Sequence, residues 1–190
     1  MIPIHNVIQH FRTITRHRHK VIANCARAGI LMQGLRHDLS KYSPTEFWVG
    51  AKYYQGGTRS PNEGEREAYG YSKAWMHHKG RNRHHFEYWT DYNPATRSLR
   101  PVPMPTRYIV EMFCDRVAAS KIYMGKNYCN DSALQYFLRA KPHRVIDAGT
   151  SDTLEHLLAT LAERGEDAAF AEARALIRAD RAARRKKAAP

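Results

Sequence analysis

No apolar run in the chain approaches the roughly 20 residues that a bilayer-spanning helix needs, which argues against an integral helical membrane protein. Cysteine is scarce. Cys25, Cys114 and Cys129 are an odd number without CxxC spacing, which excludes a disulfide framework and a thiolate zinc site and leaves them as small buried hydrophobes. The first ten residues lack a basic stretch followed by an apolar block, so no secretory leader is expected and the sequence predicts a cytoplasmic protein. Acidic residues are also in short supply, 18 against 31 lysines and arginines, for a formal charge of +13. An excess of that size invites a phosphate or nucleic-acid partner. Part of it sits at the C-terminus, where Arg178, Arg181, Arg184, Arg185, Lys186 and Lys187 accompany one acid, Asp180. Such a run reads as a solvated helix end, with nucleic-acid contact as the functional alternative. Internal repeats are absent, and 190 residues suit one core. The expectation is one domain over residues 1–177 and a basic tail at 178–190.

Neither proline nor glycine interrupts residues 4–28, where Val7, Phe11, Ile14, Val21, Ile22 and Cys25 recur mainly at helical spacings. Gly29 and Gly34 punctuate a short connection, and residues 35–41 read as the start of the next helix or a turn within it. Ser43-Pro44-Thr45-Glu46 reads as a helix start, with serine as cap, proline at the first helical position and glutamate reaching back. Residues 55–64 read as a loop, 65–89 as helix broken at Gly80, and 92–105 as a proline-bearing connection. Pro105 opens a strong helix with Tyr108, Ile109, Met112, Phe113, Val117 and Ile122 on one face. Further helices are expected near 132–140, 152–164 and 167–185, and no stretch alternates long enough to demand a strand. The fold class is therefore all-α, a single bundle of about six to eight helices.

The histidines are the unusual feature: eleven in all, most of them before residue 86. His37 and Asp38 adjoin, with Lys41 one helical turn after the aspartate. Imidazole and carboxylate are both good ligands for divalent first-row ions, although an isolated His-Asp pair serves equally as a cap or salt bridge. His77, His78, His84 and His85 then fall within nine residues. On a continuous helix His78, Asn82 and His85 would share one face, with His77 and His84 beside it. A face pairing with phosphates or carboxylates is the plainer reading. Protonated histidines so dense would repel one another, and a cation that keeps them neutral is the more economical account. Glu111 and Asp115 lie four residues apart on the apolar helix, and one is expected to face inward. A carboxylate there costs several kcal/mol unless it meets an arginine or a cation. On the first helix His17 is preferred to His19 because it shares the stripe of Ile14 and Val21. His77 against His78 and His17 against His19 stay open at this point.

In chain order, His17, His37-Asp38, Lys41, His78, His84-His85 and Asp115 form a pattern that resembles the HD superfamily of metal-dependent phosphohydrolases. His37-Asp38-Leu39-Ser40-Lys41 looks like the HDxxK of its two-metal phosphodiesterase branch, and His84-His85 with Glu87 is similar to its His-His-Glu segment. The resemblance implies an HD-domain-like helical bundle holding a mononuclear or dinuclear divalent-metal site. His17, His37, Asp38 and Asp115 would serve one ion and Asp38, His78, His84 and His85 the other. Lys41 would steady a phosphate oxygen or protonate the leaving group. Tyr88-Trp89-Thr90-Asp91-Tyr92 stands where cyclic-dinucleotide hydrolases carry Gly-Tyr-Pro, so that substrate is not carried over. Over residues 4–167 the chain more closely resembles a small bacterial and phage family classed as a domain of unknown function, sharing 34–46, 75–89 and 111–125.

The function expected from the ligand pattern is hydrolysis of a phosphomonoester or phosphodiester, on a nucleotide or similar small molecule, with manganese, iron, zinc or magnesium. Arg36, Lys79, Arg81 and Arg83 are candidate phosphate ligands, with plain solvation as the alternative. Asn82 would orient a ligand or accept a substrate hydrogen bond. Two other readings remain. One is a di-iron oxygenase on the same ligands. The other is a non-catalytic basic nucleic-acid module, with Tyr53, Tyr54, Trp75, Tyr88 and Trp89 as stacking surfaces, although these aromatics also suit a core.

Overall fold

The computed structural model describes residues 1–57 and 59–188; the last two residues of the expected tail, Ala189 and Pro190, lie outside the described residues. Helix α1 (Ile4–Arg27) forms where the spacing predicts it and turns Ile14, His17, Val21, Asn24 and Cys25 inward. It ends at Gly29, whose φ of 79° a side chain rarely tolerates. Helix α2 (Leu31–Gly34) folds back on α1. A Cβ at Gly34 would lie 2.6 Å from the Cβ of Cys25, so only glycine permits this approach. The chain then makes turns over 35–38 and a 3-10 turn, Leu39–Tyr42, in place of regular helix.

Helix α3 (Pro44–Lys52) starts at its proline as expected, but Ser43 makes no side-chain cap and Glu46 does not reach back, because histidines further along the chain engage it. The expected helix over 65–89 is two helices, α4 (Pro61–Tyr69) and α5 (Lys73–Arg81). The breaks fall at Gly70, which has φ 79°, and at Asn82, while Gly80 stays helical. The side chain of Asn82 donates to the His78 carbonyl at 2.8 Å, a local bond that competes with continuing the helix. Strands β1 (Thr90–Asn93) and β2 (Ser98–Pro101) form an antiparallel hairpin where only a connection was expected. Its side chains are mostly exposed on both faces, so no inward-outward alternation marks it in the sequence.

Helix α6 (Thr106–Met124) is followed by α7 (Ser132–Ala140) and α8 (Ala148–Ala188), the last interrupted at Gly165 with φ 81°. The protein is all-α, with eight helices among the described residues. None of those helices is long and apolar enough to cross a membrane. The core lies between α1, α6, α7 and α8, around Val21, Phe113, Phe137, Leu157 and Phe170. Each buried phenylalanine there contributes about 2–3 kcal/mol. Asn24 ties α1 to α6 by donating to the Cys114 carbonyl at 3.0 Å. Cys25 and Cys114 are buried as expected, whereas Cys129 is exposed in the turn before α7. Helix α8 runs unbroken across residues 177 and 178, and Arg181 donates to the Gly29 carbonyl at 3.0 Å.

Candidate metal centre

Asp38 sits at φ 53° in the left-handed region, which aspartate tolerates better than most residues. That backbone ends the preceding turn and swings the carboxylate into the interior. Arg18 of α1 holds the turn from outside, donating to the carbonyls of Leu35 and His37. The two oxygens of Asp38 face different partners. Oδ1 lies 3.3 Å from His78 Nε2 and 3.5 Å from His84 Nε2; Oδ2 lies 3.2 Å from His37 Nε2 and 2.7 Å from Lys41 Nζ.

Around this carboxylate the fold gathers two sets of donors, each within 4.8 Å of one another: Asp38, His78, His84 and His85, and His17, His37, Asp38 and Asp115. They arrive from α1, the 35–38 turn, α5, the segment after α5, and α6. His17 is buried in the cluster and His19 is exposed; of the other pair, it is His78 whose Nε2 faces Asp38. His78 Nε2 and His85 Nε2 are 2.9 Å apart. His17 Nε2 approaches Asp115 Oδ1 to 2.9 Å, but not in the direction of a hydrogen bond.

Two glutamates set the orientation. Glu46 accepts from Nδ1 of His77 and from Nδ1 of His78, both at 2.7 Å, which leaves Nε2 of His78 directed at Asp38. Glu111 accepts from Nδ1 of His37 at 2.9 Å and lies 3.3 Å from Nδ1 of His84. Gln33 donates to the other oxygen of Glu111. Carboxylates that fix the remote ring nitrogen are the usual support of metal-ligating histidines. Of the acids on α6 both therefore face inward, not one: Asp115 reaches the cluster and Glu111 stands behind it. Sequence spacing singled out the glutamate-aspartate pair but missed Glu46, Gln33 and Arg18. Asn82 is buried and bonded to Ser40 and His78, supporting the histidine segment.

His17 Nε2, His37 Nε2, Asp38 Oδ1 and His84 Nε2 are buried without a hydrogen-bond partner among the described residues. Four orphaned polar atoms converging on one place would cost several kcal/mol together unless something fills the space between them. The donor set of neutral imidazoles and carboxylates suits a divalent ion, and these buried clusters could hold one. The charges are strongly coupled. Burial works against the Asp38 carboxylate, but His37, Lys41 and His78 hold it well below the usual carboxylate range. Asp115 is held low against burial by His17 and His37. Burial opposes a charge on His37 too, yet Asp38, Asp115 and Glu111 raise its imidazole well above the ordinary value. Burial and the neighbouring His84 and His78 push His85 well below it.

A cleft of about 150 Å³ opens over one side of this cluster, bordered by Lys41, Trp75, His78, His85, Tyr123 and Arg59. None of Arg36, Lys79, Arg81 and Arg83 borders it. Arg36, Arg81 and Arg83 are exposed, and the guanidinium of Arg83 lies 5.5 Å from the Tyr88 ring. The cations that do border the cleft are Lys41 and Arg59, the latter paired with Glu63 at 3.0 Å and with Glu67 at 2.5 Å. Of the candidate stacking residues, Tyr54 and Trp75 border the cleft, while Trp89 packs against the core.

No curated protein and no solved structure matches the chain. One family profile does: it covers residues 6–162, from the first turn of α1 into the first half of α8, and spans every residue of both donor sets. The chain belongs to that family, a family of unknown function (DUF5662).

Proposed function

We propose that the protein is a metal-dependent hydrolase of phosphate esters, working at a dinuclear centre. The observation that carries this reading is the sharing of Asp38 between two four-residue donor sets whose free atoms point at each other. His17, His37, Asp38 and Asp115 would hold one divalent ion and Asp38, His78, His84 and His85 the second. Such a pair supplies Lewis acidity and charge neutralisation for attack of water on phosphorus at neutral pH.

The chain's own residues supply the rest. Burial disfavours the Lys41 ammonium, but the Asp38 carboxylate, 2.7 Å away, outweighs it and raises the lysine above its ordinary range. Lys41 borders the cleft, where its ammonium would grip a phosphate oxygen of the substrate. Trp75 packs on His78 with ring centroids 5.6 Å apart and on His85 at 4.7 Å, and so braces both imidazoles at the wall of the cleft.

Elemental analysis of untagged protein tests the centre, and a panel of nucleoside monophosphates, p-nitrophenyl phosphate and bis-p-nitrophenyl phosphate tests the reaction. Two divalent ions per chain are expected, falling to none in Asp38→Ala, with metal-dependent hydrolysis of at least one ester. Fully metallated protein that leaves every ester intact, or that takes up oxygen instead, would overturn the hydrolase reading.

A further inference from the structure

Beside the cleft, and sharing Thr13, Tyr54 and Gly57 with it, lies a more open groove of about 650 Å³ along the outer face of α1. Thr13 Oγ1 and Tyr54 OH, 3.0 Å apart, form the divide between the two. Small-molecule sites run to about 300–1,000 Å³. At about 150 Å³ the cleft is too small to enclose a nucleotide, so a substrate with its ester at the histidine cluster must project outward. The groove, at about 650 Å³, is the adjoining space of the right size.

Its wall has a definite chemistry. Arg12, Arg16 and His19 follow at spacings of four and three along α1, so they form one row on the groove side. Neither Arg12 nor Arg16 makes an ion pair among the described residues, and no carboxylate lines the groove. That contrasts with Arg59 in the cleft, which two glutamates neutralise. The backbone positions of Arg12 and Arg16 are four residues, about 6 Å, apart along the helix axis. Phe11 lies half exposed at the same wall, its ring edge-on to Tyr42 at 6.0 Å, and Tyr54 closes the inner end. A row of unpaired cations with aromatic faces is the arrangement that binds single-stranded nucleic acid, cations on the phosphates and rings under the bases.

We propose that this groove is a second anion-binding subsite that takes the continuing strand of a short single-stranded oligonucleotide whose terminal ester enters the cleft. The inference rests on the hydrolase reading for the cleft and specifies its substrate class.

The test is binding of a fluorescein-labelled deoxythymidine pentamer, competed by unlabelled deoxythymidine monophosphate, to three full-length proteins: wild type, Arg12→Glu/Arg16→Glu, and a variant with residues 184–187 all changed to serine. The pentamer is expected to bind at least about tenfold more tightly than the monophosphate. The double variant should weaken it about tenfold or more and reduce the slope of log affinity against log salt by about 1.4, for two phosphate contacts on a single strand. The serine variant should retain it, and thermal unfolding should show the double variant folded. Equal affinity for pentamer and monophosphate, an unchanged salt slope in the double variant, or loss of binding with the serine variant would overturn the subsite. These outcomes are read without turnover, so a groove that binds the pentamer in a protein that hydrolyses nothing would sink the hydrolase reading alone.

Discussion

Glu111 accepts a hydrogen bond from Nδ1 of His37 at 2.9 Å and thereby fixes which nitrogen of that ring faces Asp38. Glu111→Gln keeps the shape but replaces a strong acceptor with a weak one, and leaves Nδ1 of His84, 3.3 Å away, without its carboxylate. Metal affinity should fall about 10- to 100-fold, with the protein still folded, as measured by competition with a fluorescent chelator. Unchanged affinity would show that Glu111 does not support the histidines.

Gly50 of α3 faces the ring of His10, and a Cβ there would meet Nε2 at 2.2 Å and Cε1 at 2.3 Å. Alanine is intrinsically better in a helix by about 1 kcal/mol, whereas forcing a wedged ring aside costs about 1–3 kcal/mol. His10 has little room to yield, with Phe47 at 5.4 Å and Tyr54 at 6.1 Å. Gly50→Ala should therefore lower the urea midpoint; an increase would mean that the ring moves freely.

Burial, followed by the charge of Lys41, lowers His10 from 6.5 to about 4. Its folded-state value is depressed, so the unfolded chain binds the proton more readily. The resulting stability is present above pH 6.5 and is lost as pH falls towards 4, on the order of 3 kcal/mol. In the presence of chelator, His10→Gln should lose less stability than wild type between pH 7 and pH 4.5. Parallel losses in urea titrations would remove His10 as the cause.

Cys129 is the exposed thiol, while Cys25 and Cys114 are buried. Ellman's reagent should modify a single thiol quickly in the native protein and all three in guanidinium. Rapid reaction of two or more in the native state would contradict the packing of α1 against α6.

Much of the cluster could be read from the chain because its ligands come in pairs: His37 adjoins Asp38, and His84 adjoins His85. The supporting acids could not. Glu46 stands three residues after Ser43, where a capping residue belongs, and only the tertiary fold brings His77 and His78 to it. The spacing of Glu111 and Asp115 showed a shared helix face but not that they reach the cluster at different depths. The helix expected through 82–89 fails because a side-chain bond at Asn82 is invisible to periodicity. The candidate phosphate ligands Arg36, Lys79, Arg81 and Arg83 do not border the cleft. The cations at the cleft are Lys41 and, before α4, Arg59, which lie far along the chain from the histidine segment.

The segment shared with the family stops at residue 162, three positions short of the interruption at Gly165. Beyond that point Phe170, Ala173 and Ile177 are still buried, with the Phe170 ring 5.3 Å from Phe113 and under the guanidinium of Arg27 at 4.1 Å. A truncation made at the family's limit would strip the cover from Phe113 of α6, two residues before Asp115. The shortest fragment able to hold its shape is therefore longer than the stretch by which relatives are recognised.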